Sequence, residues 1–241
     1  MYLYIIATPI GNLQDITLRA LEVLKSVDLL IAEDTRRLRQ LLNHFGISKP
    51  VLSYHAHSHA GREAEIIERL RRDQNIGLVT DAGTPIIADP GSNLINTVSR
   101  ELPEVKIIPI PGASSVTAAL SVAGFGADKF SFWGYPPKKG QKRIAFFENL
   151  SANHETQVFF STPHAIIKDL TAVRDVFSKA EQLDRPLIVA REMTKLFESF
   201  YRGAIDEVIQ KIQNSPQKGE FAIVISKLLS CHSRPDRESM A

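Results

Sequence analysis

An α/β fold built from two α/β domains is what this sequence predicts, on three observations. Continuous apolar runs recur, as at residues 3–7 and 187–190, the pattern of strands buried on both faces of a sheet. Segments with apolar residues at helical spacing alternate with those runs. Turns rich in Pro and Gly close most of them, as in Thr8-Pro9-Ile10-Gly11. Strand, helix, strand, helix in that order implies mostly parallel sheets covered on both faces. A chain of 241 residues has room for one domain or two. The boundary is expected near 111–113, giving an N-terminal domain 1–112, a C-terminal domain 113–226 and a polar tail 227–241.

The elements follow in order. After the run at 3–7, Asp15 is placed to cap a helix whose stripe is Ile16, Ala20, Leu21, Leu24 and Val27. Residues 28–32 read as the next strand, ending in the charged cluster Glu33-Asp34-Thr35-Arg36-Arg37. Leu38, Leu41, Leu42 and Phe45 keep helical spacing, and Gly46 suits the residue just past a helix end. A short strand at 51–54 leads to His55, His57 and His59. A charged helix over 62–72 precedes residues 76–80, a buried strand that runs into Asp81, Gly83, Pro85, Asp89, Pro90 and Gly91. Gly and Pro make this last stretch a shaped loop carrying two carboxylates. Leu94, Ile95 and Val98 suggest a helix, 105–110 a strand and 116–122 a helix of small residues. In the second half, strands are expected at 130–133, 157–161, 187–190 and 221–225. Thr162-Pro163 reads as a helix start before the stripe Ile166, Ile167, Leu170, Val173 and Phe177.

Composition narrows the function. Hydrophobic residues make up 44% and charged residues 23%, with a formal net charge of +2. That is an ordinary globular balance, too mild to announce nucleic-acid binding outside a local patch. The single cysteine, Cys231, excludes an internal disulfide or cysteine zinc cluster and fits a reducing cytoplasm. No membrane span and no signal peptide are expected. The phosphate-cradling Gly-x-x-x-x-Gly-Lys-Ser/Thr loop and the three-glycine dinucleotide fingerprint are missing. His55, His57 and His59 could share a strand face, but without a carboxylate or cysteine in register they read as surface or substrate-facing groups, and no metal is expected.

Turns at strand ends are the positive signal: residues 8–13, 33–36, 81–91, 111–115, 161–164 and 191–195. In a parallel sheet such turns gather on one rim, where α/β folds bind ligands. Their mixture of backbone donors, acceptors and carboxylates suits a polar zwitterion such as S-adenosylmethionine. Charged groups at strand ends, Glu33, Arg36, Glu192 and Lys195, read as either a bracing ion network or contacts to substrate. Lys138, Lys139, Lys142 and Arg143 form a basic run fit for phosphate.

Taken together, Thr8-Pro9-Ile10-Gly11-Asn12-Leu13, Asp15-Ile16-Thr17-Leu18-Arg19-Ala20-Leu21, Glu33-Asp34-Thr35-Arg36, Asp81-Ala82-Gly83-Thr84-Pro85, Asp89-Pro90-Gly91, Pro111-Gly112 and Arg191-Glu192-Met193-Thr194-Lys195 are specific. They resemble the 16S ribosomal RNA cytidine 2′-O-methyltransferases of the tetrapyrrole-methylase superfamily, over nearly all of residues 1–226. That resemblance implies two α/β domains of the tetrapyrrole-methylase type, a cofactor cleft between them and a cytoplasmic homodimer. It implies methylation of a cytidine 2′-hydroxyl in small-subunit RNA with S-adenosylmethionine. Pro9, Asp81, Ala82, Gly83, Thr84, Pro85, Asp89, Ser114 and Ser115 would line the cofactor, with Phe160 and Ala190 closing it. Arg36, Lys138, Lys139 and Arg143 would hold RNA, and Glu33, His55, Glu192 and Lys195 are the candidates for proton transfer. Where the family usually has Glu-Ser-Pro-His-Arg, this chain has Ser161-Thr162-Pro163-His164-Ala165. Two other readings stay open: C-methylation of a tetrapyrrole precursor, and a non-catalytic cofactor-binding protein that docks on the ribosome.

Overall fold

The computed structural model describes residues 1–55 and 60–228; His57, His59 and Cys231 lie outside them. The chain divides into two compact units, Met1–Ser115 and Val116–Ala241.

In the first unit, strands β1 (Tyr2–Ile6), β2 (Leu29–Ala32), β3 (Val51–Ser53), β4 (Ile76–Val79) and β5 (Lys106–Ile110) form one sheet in the order β3-β2-β4-β1-β5. Every pairing in it is parallel, with Ile5 beside Leu78 and Pro109. All four residues of β2 and of β4 are buried, as continuous apolar runs require of inner strands. Gly77 sits where a Cβ would meet Leu30 Cδ2 at 2.7 Å and Ile6 Cδ1 at 2.9 Å. Two apolar clusters fill the layers, one around Ile31, Ile66, Leu70 and Leu94 and the other around Leu24, Leu30, Leu38 and Val79.

Helix starts differ from expectation in detail. Asp15 ends a 3-10 turn, Leu13–Asp15, and the cap of α1 (Leu18–Ser26) is Thr17, whose hydroxyl accepts from the Ala20 amide. Both types accept amide bonds at helix starts, so the stripe alone cannot choose between them. Asp34 caps α2 (Thr35–His44), and Gly46 follows its end with φ +64°. Helices α3 (Ala60–Arg71) and α4 (Ser92–Glu101) complete the alternation, and α5 (Ser115–Ser121) opens the second unit.

The second unit corrects the expectation of a mostly parallel sheet. Its strands β6 (Phe130–Phe132), β7 (Thr156–Ser161), β8 (Leu187–Arg191), β9 (Ser199–Gly203) and β10 (Phe221–Ile225) are ordered β6-β7-β10-β8-β9. Only β6 and β7 pair in parallel; β10 runs antiparallel to both β7 and β8, and β9 antiparallel to β8. The last strand inserts between two strands that already point the same way. So β6, β7 and β8 still end on one edge, where Ser161 and Arg191 flank Phe221. Helices α6 (Gln141–Ala152), α7 (Ile166–Lys179) and α8 (Ile205–Gln213) pack on this sheet around Phe159, Phe177, Leu187 and Ile223. Helix α7 begins later than Thr162-Pro163 suggested: residues 163–165 make a turn first, and the Ile166 amide then bonds the Thr162 carbonyl.

Candidate functional site

The turns that leave the first sheet are stitched to one another. Strands β4, β1 and β5 are adjacent and parallel, so the residues after each emerge on the same edge. Thr8 and Gly83 exchange backbone hydrogen bonds of 2.9 and 3.0 Å, and the Thr8 hydroxyl donates to the Thr80 carbonyl at 3.3 Å. The Thr84 hydroxyl donates to the Ala113 carbonyl at 3.1 Å. From the β2 side, the Asp34 amide donates to Asp81 Oδ1 at 3.1 Å, and the Arg37 guanidinium lies 3.4 Å from Asp81 Oδ2. Residues 81–85 therefore tie together the turns after β1, β2 and β5, and bring Pro9, Asp81 to Pro85 and Ser114 to one edge.

The loop is held in an uncommon backbone. Gly83 has φ +82°, and a Cβ there would press on Ile10 Cγ2 at 3.3 Å. Ile86 at +77° and Ala88 at +66° also lie in the left-handed region, which is costly for a β-branched residue. Conformations of this kind persist where surrounding bonds over-determine them and cluster at binding sites.

Asp89 stands out electrostatically. Its carboxyl is pushed above the usual range, first because burial desolvates it and then because Glu33 and Asp81 add negative charge nearby; the Thr80 hydroxyl opposes this. Below the unfolded value both states are protonated and Asp89 contributes nothing. As pH rises toward the folded value a stability penalty grows, and above it the penalty is complete. Asp89→Asn is expected to melt above the wild type at pH 7 and together with it at pH 3, while binding a cationic ligand more weakly. Equal melting temperatures at pH 7 would count against the strained carboxylate.

The other first-unit candidates sort clearly. Glu33 is half-buried just past β2. His55 is exposed past the edge strand β3, its Nε2 2.7 Å from the Ser53 hydroxyl. Arg36, expected to hold RNA, is exposed and forks onto Asp34 through Nε at 3.1 Å and Nη2 at 2.9 Å. This bond first, and then the helix-start amides, hold the Asp34 carboxyl well below its ordinary range. It is Arg37, not singled out in the sequence, that reaches the loop. A helix places successive residues about 100° apart, so Arg36 turns to Asp34 and Arg37 makes the direct contact to Asp81.

At the edge of the second unit, Glu192 and Lys195 form a pair at 2.9 Å, and Lys195 reaches Glu220 at 3.1 Å. Burial alone would raise the Glu192 carboxyl, but the Lys195 bond, the Glu220 amide and the charges of Lys195 and Arg191 outweigh it and lower it. Burial would lower the Lys195 ammonium, and its two carboxylate partners outweigh that and raise it. Both groups are thus held charged, which makes each a poor proton acceptor. The loop they sit on is clamped by buried Arg191, whose Nε donates to the Lys218 carbonyl at 2.7 Å.

Three more candidates lie on this unit. Ala190 is 1% exposed, ladder-paired with Ala222 and Phe200, so its side chain has no surface to offer a ligand. Phe160 is half-buried in an aromatic group, with ring centroids 4.9 Å from Phe132 and 5.4 Å from Tyr135. Arg143 is not part of an exposed basic loop but lies on α6, its Nη2 2.8 Å from buried Asp169 and its guanidinium 4.8 Å from the Phe147 ring centre. Asp169 also accepts from the Ser161 hydroxyl at 2.5 Å. An interior carboxylate must be paired, and it draws the one cation that the α6 register aims inward. Lys138 and Lys139 remain exposed before the start of α6.

Comparison with known proteins decides the family. Residues 2–209 match the family model of Tetrapyrrole (Corrin/Porphyrin) Methylases. The chain belongs to this family. Its members are S-adenosylmethionine-dependent methyltransferases, and this chain is one of those enzymes. Among curated relatives, "Ribosomal RNA small subunit methyltransferase I" of Synechocystis sp. is 42% identical over 224 residues, 93% of this chain and 78% of the relative. The protein of that name from Thermotoga maritima is 41% identical, over 93% of this chain and 97% of the relative. Solved structures with the same fold include a diphthine synthase, with TM-score 0.72 and 17% identity over 95% of this chain and 92% of that one. The cobalt precorrin-4 methyltransferase has TM-score 0.68 and 20% identity over 93% and 94%.

The first-unit edge fits the methyl donor on its own terms. The turns after β1 and β5 pack closely enough that a Cβ on Gly112 would meet that of Ala7 at 3.0 Å, so the backbone of this edge is held in one shape. The carboxylates of Asp81, Asp89 and Glu33 complement a ligand carrying a sulfonium and an ammonium group.

Proposed function

We propose that this chain methylates the ribose 2′-hydroxyl of a cytidine in small-subunit ribosomal RNA, acting in the cytoplasm as a homodimer. The observation that carries the reading is the 41–42% identity, over 93% of the chain, to two enzymes named for small-subunit ribosomal RNA. Pro9, Asp81, Ala82, Gly83, Thr84, Pro85, Asp89, Ser114 and Ser115 hold the cofactor. S-adenosylmethionine supplies an already activated methyl group. The chain's own work is to fix its partners in line and exclude water.

A ribose hydroxyl attacks well only once its proton is taken. Glu192 and Lys195 are spoken for by their ion pair, which supports a cationic, orienting role for Lys195 toward the RNA. Of the remaining candidates, His55 is exposed beyond an edge strand, whereas Glu33 sits half-buried beside Asp89. Glu33 is therefore assigned as the base. Glu33→Gln is expected to lower kcat by about 10²-fold or more, with His55→Ala close to wild type. The reverse order of effects in single-turnover assays would transfer the role to His55.

The reading as a whole is tested by transfer of labelled methyl groups to undermethylated small subunits, naked RNA and a tetrapyrrole precursor. Label on a ribose 2′-oxygen of the RNA supports it. Label on the macrocycle would sink it, and cofactor binding without transfer to any acceptor would favour a docking protein.

A further inference from the structure

Apart from the cofactor edge, the second unit carries a groove of about 360 Å³ between α6 and α7, which places Lys139 and Arg143 of the basic run beside Lys168. Its floor is apolar, formed by Ile144, Phe147, Ala172 and Val176, and Ile144 is half exposed. Lys139, Arg143 and Lys168 line one end. The two helices run the same way. Arg143 near the start of α6 bonds the Lys168 carbonyl in the first turn of α7, and Gln182 just past α7 bonds the Ser151 carbonyl near the end of α6. Both helix N-termini therefore point to the end where the lysines are.

That arrangement is unfavourable as it stands. Helix N-termini carry partial positive charge and disfavour cations. Yet α6 has no acidic residue in its first turn, Lys142 lies in that turn, and Lys138 and Lys139 precede it. The only acid in the first turn of α7 is Asp169, already engaged by Arg143 and Ser161. Acids do line the groove farther along, at Glu148 and Asp175, with Lys179 beyond. Asp175 is paired with Arg174 at 3.3 Å. So the positive end is local, and it coincides with the edge on which β6, β7 and β8 terminate.

We infer that the Lys139–Lys168 end of this groove binds the sugar-phosphate backbone of the substrate RNA. Charge complementarity argues for the occupant: a phosphate relieves repulsion among Lys139, Lys142 and Lys168 and completes both helix ends. Arg143 is the positioning residue of this surface. It donates to the Pro137 carbonyl at 3.3 Å while held by Asp169, so it fixes the turn that presents Lys138 and Lys139. The aliphatic floor gives the lysine stems and the ribose an apolar bed. The inference rests on the RNA reading proposed above.

The test uses the full chain and a short fluorescein-labelled single-stranded RNA, with anisotropy titrations across a KCl series. Lys139→Glu combined with Lys168→Glu is expected to weaken binding by about 10-fold or more, and to reduce the slope of log K against log[salt] by at least about 1.4, two phosphate contacts' worth. Lys25→Glu, at an exposed position near the end of α1 in the first unit, is expected to leave both unchanged. S-adenosylmethionine affinity by calorimetry stays at the wild-type value in all variants, which shows that they fold. In parallel, methyl transfer to small subunits is expected to show a raised KM for the double variant with kcat retained. If the wild type transfers methyl to RNA and the double variant matches it in KM and salt slope, the groove inference is overturned and the RNA reading stands. If the wild type neither binds nor methylates RNA, the reading fails and the groove inference falls with it.

Discussion

Replacing Arg185 by leucine is expected to lower the stability of the protein by about 3–5 kcal/mol, the scale of leaving several buried carbonyls without a donor. Arg185 is 3% exposed. Its Nε donates to the Ser226 carbonyl at 2.8 Å, and Nη2 to the carbonyls of Asn153 at 3.0 Å and Glu155 at 3.2 Å. Nη1 reaches the Gln182 side chain at 3.2 Å, and the guanidinium lies 5.5 Å from the Phe177 ring centre. One side chain thus ties the end of β10 to the segment between α6 and β7. No carboxylate is among these partners, and burial pulls the guanidinium down to about 10, still protonated at pH 7. Leucine keeps the apolar stem but leaves carbonyls with no donor in an interior where each costs about 1–3 kcal/mol. Thermal melts should fall by roughly 6–20 °C for a chain of this size. Arg185→Lys should recover only part, because an ammonium cannot present the planar fork that meets several carbonyls at once. A leucine variant melting within about 2 °C of wild type would overturn this account.

Arg185 also illustrates what a sequence does not display. A lone arginine before a strand looks like a solvated charge, and only the closing of α6, β7 and β10 around it makes it a core residue. Arg143 and Asp169 are a similar case, 26 residues apart in sequence and joined by a helix register that no short pattern encodes. By contrast, β1, β2, β4 and β5 were legible, since burial on both faces writes a continuous apolar run into each. The edge of the first sheet was legible for the same reason, because once the strands are parallel their following turns must share a side.

The second sheet was not, because apolar runs such as those of β8 and β10 report burial and carry no direction. Whether a strand enters parallel or antiparallel depends on where the chain returns, and β10 returns into the gap between β7 and β8. Strand β9 escaped notice as an edge strand with a weakly alternating pattern, Ser-Phe-Tyr-Arg-Gly. Helix α8 could have been read: Ile205, Val208, Ile209 and Ile212 have the spacing of one buried face.

Removing the carboxylate of Asp81 is expected to give the largest loss of cofactor affinity. Asp81→Ala should raise the dissociation constant for S-adenosylmethionine by about 100-fold, as expected when a charge-assisted contact worth about 1.5–3 kcal/mol is lost together with the shape of the turn that makes it. Asp81→Asn separates the two effects. Its amide oxygen can still accept from the Asp34 amide, as Oδ1 does now, so the turn is kept while the charge facing Arg37 and the ligand is removed. An intermediate loss of about 10-fold is expected for it. Arg37→Ala tests the same link from the other side. The Arg37–Asp81 pair is 3.4 Å apart and partly exposed, so breaking it should cost little stability; its effect on affinity reports how far the guanidinium orients the carboxylate. Calorimetric titrations of the four proteins should therefore rank wild type tightest, then Arg37→Ala, Asp81→Asn and Asp81→Ala. Unchanged affinity in both Asp81 variants would remove this loop from the site. If asparagine bound like wild type while alanine failed, the loop would act through its backbone, and the negative charge of Asp81 would play no part in holding the cationic donor.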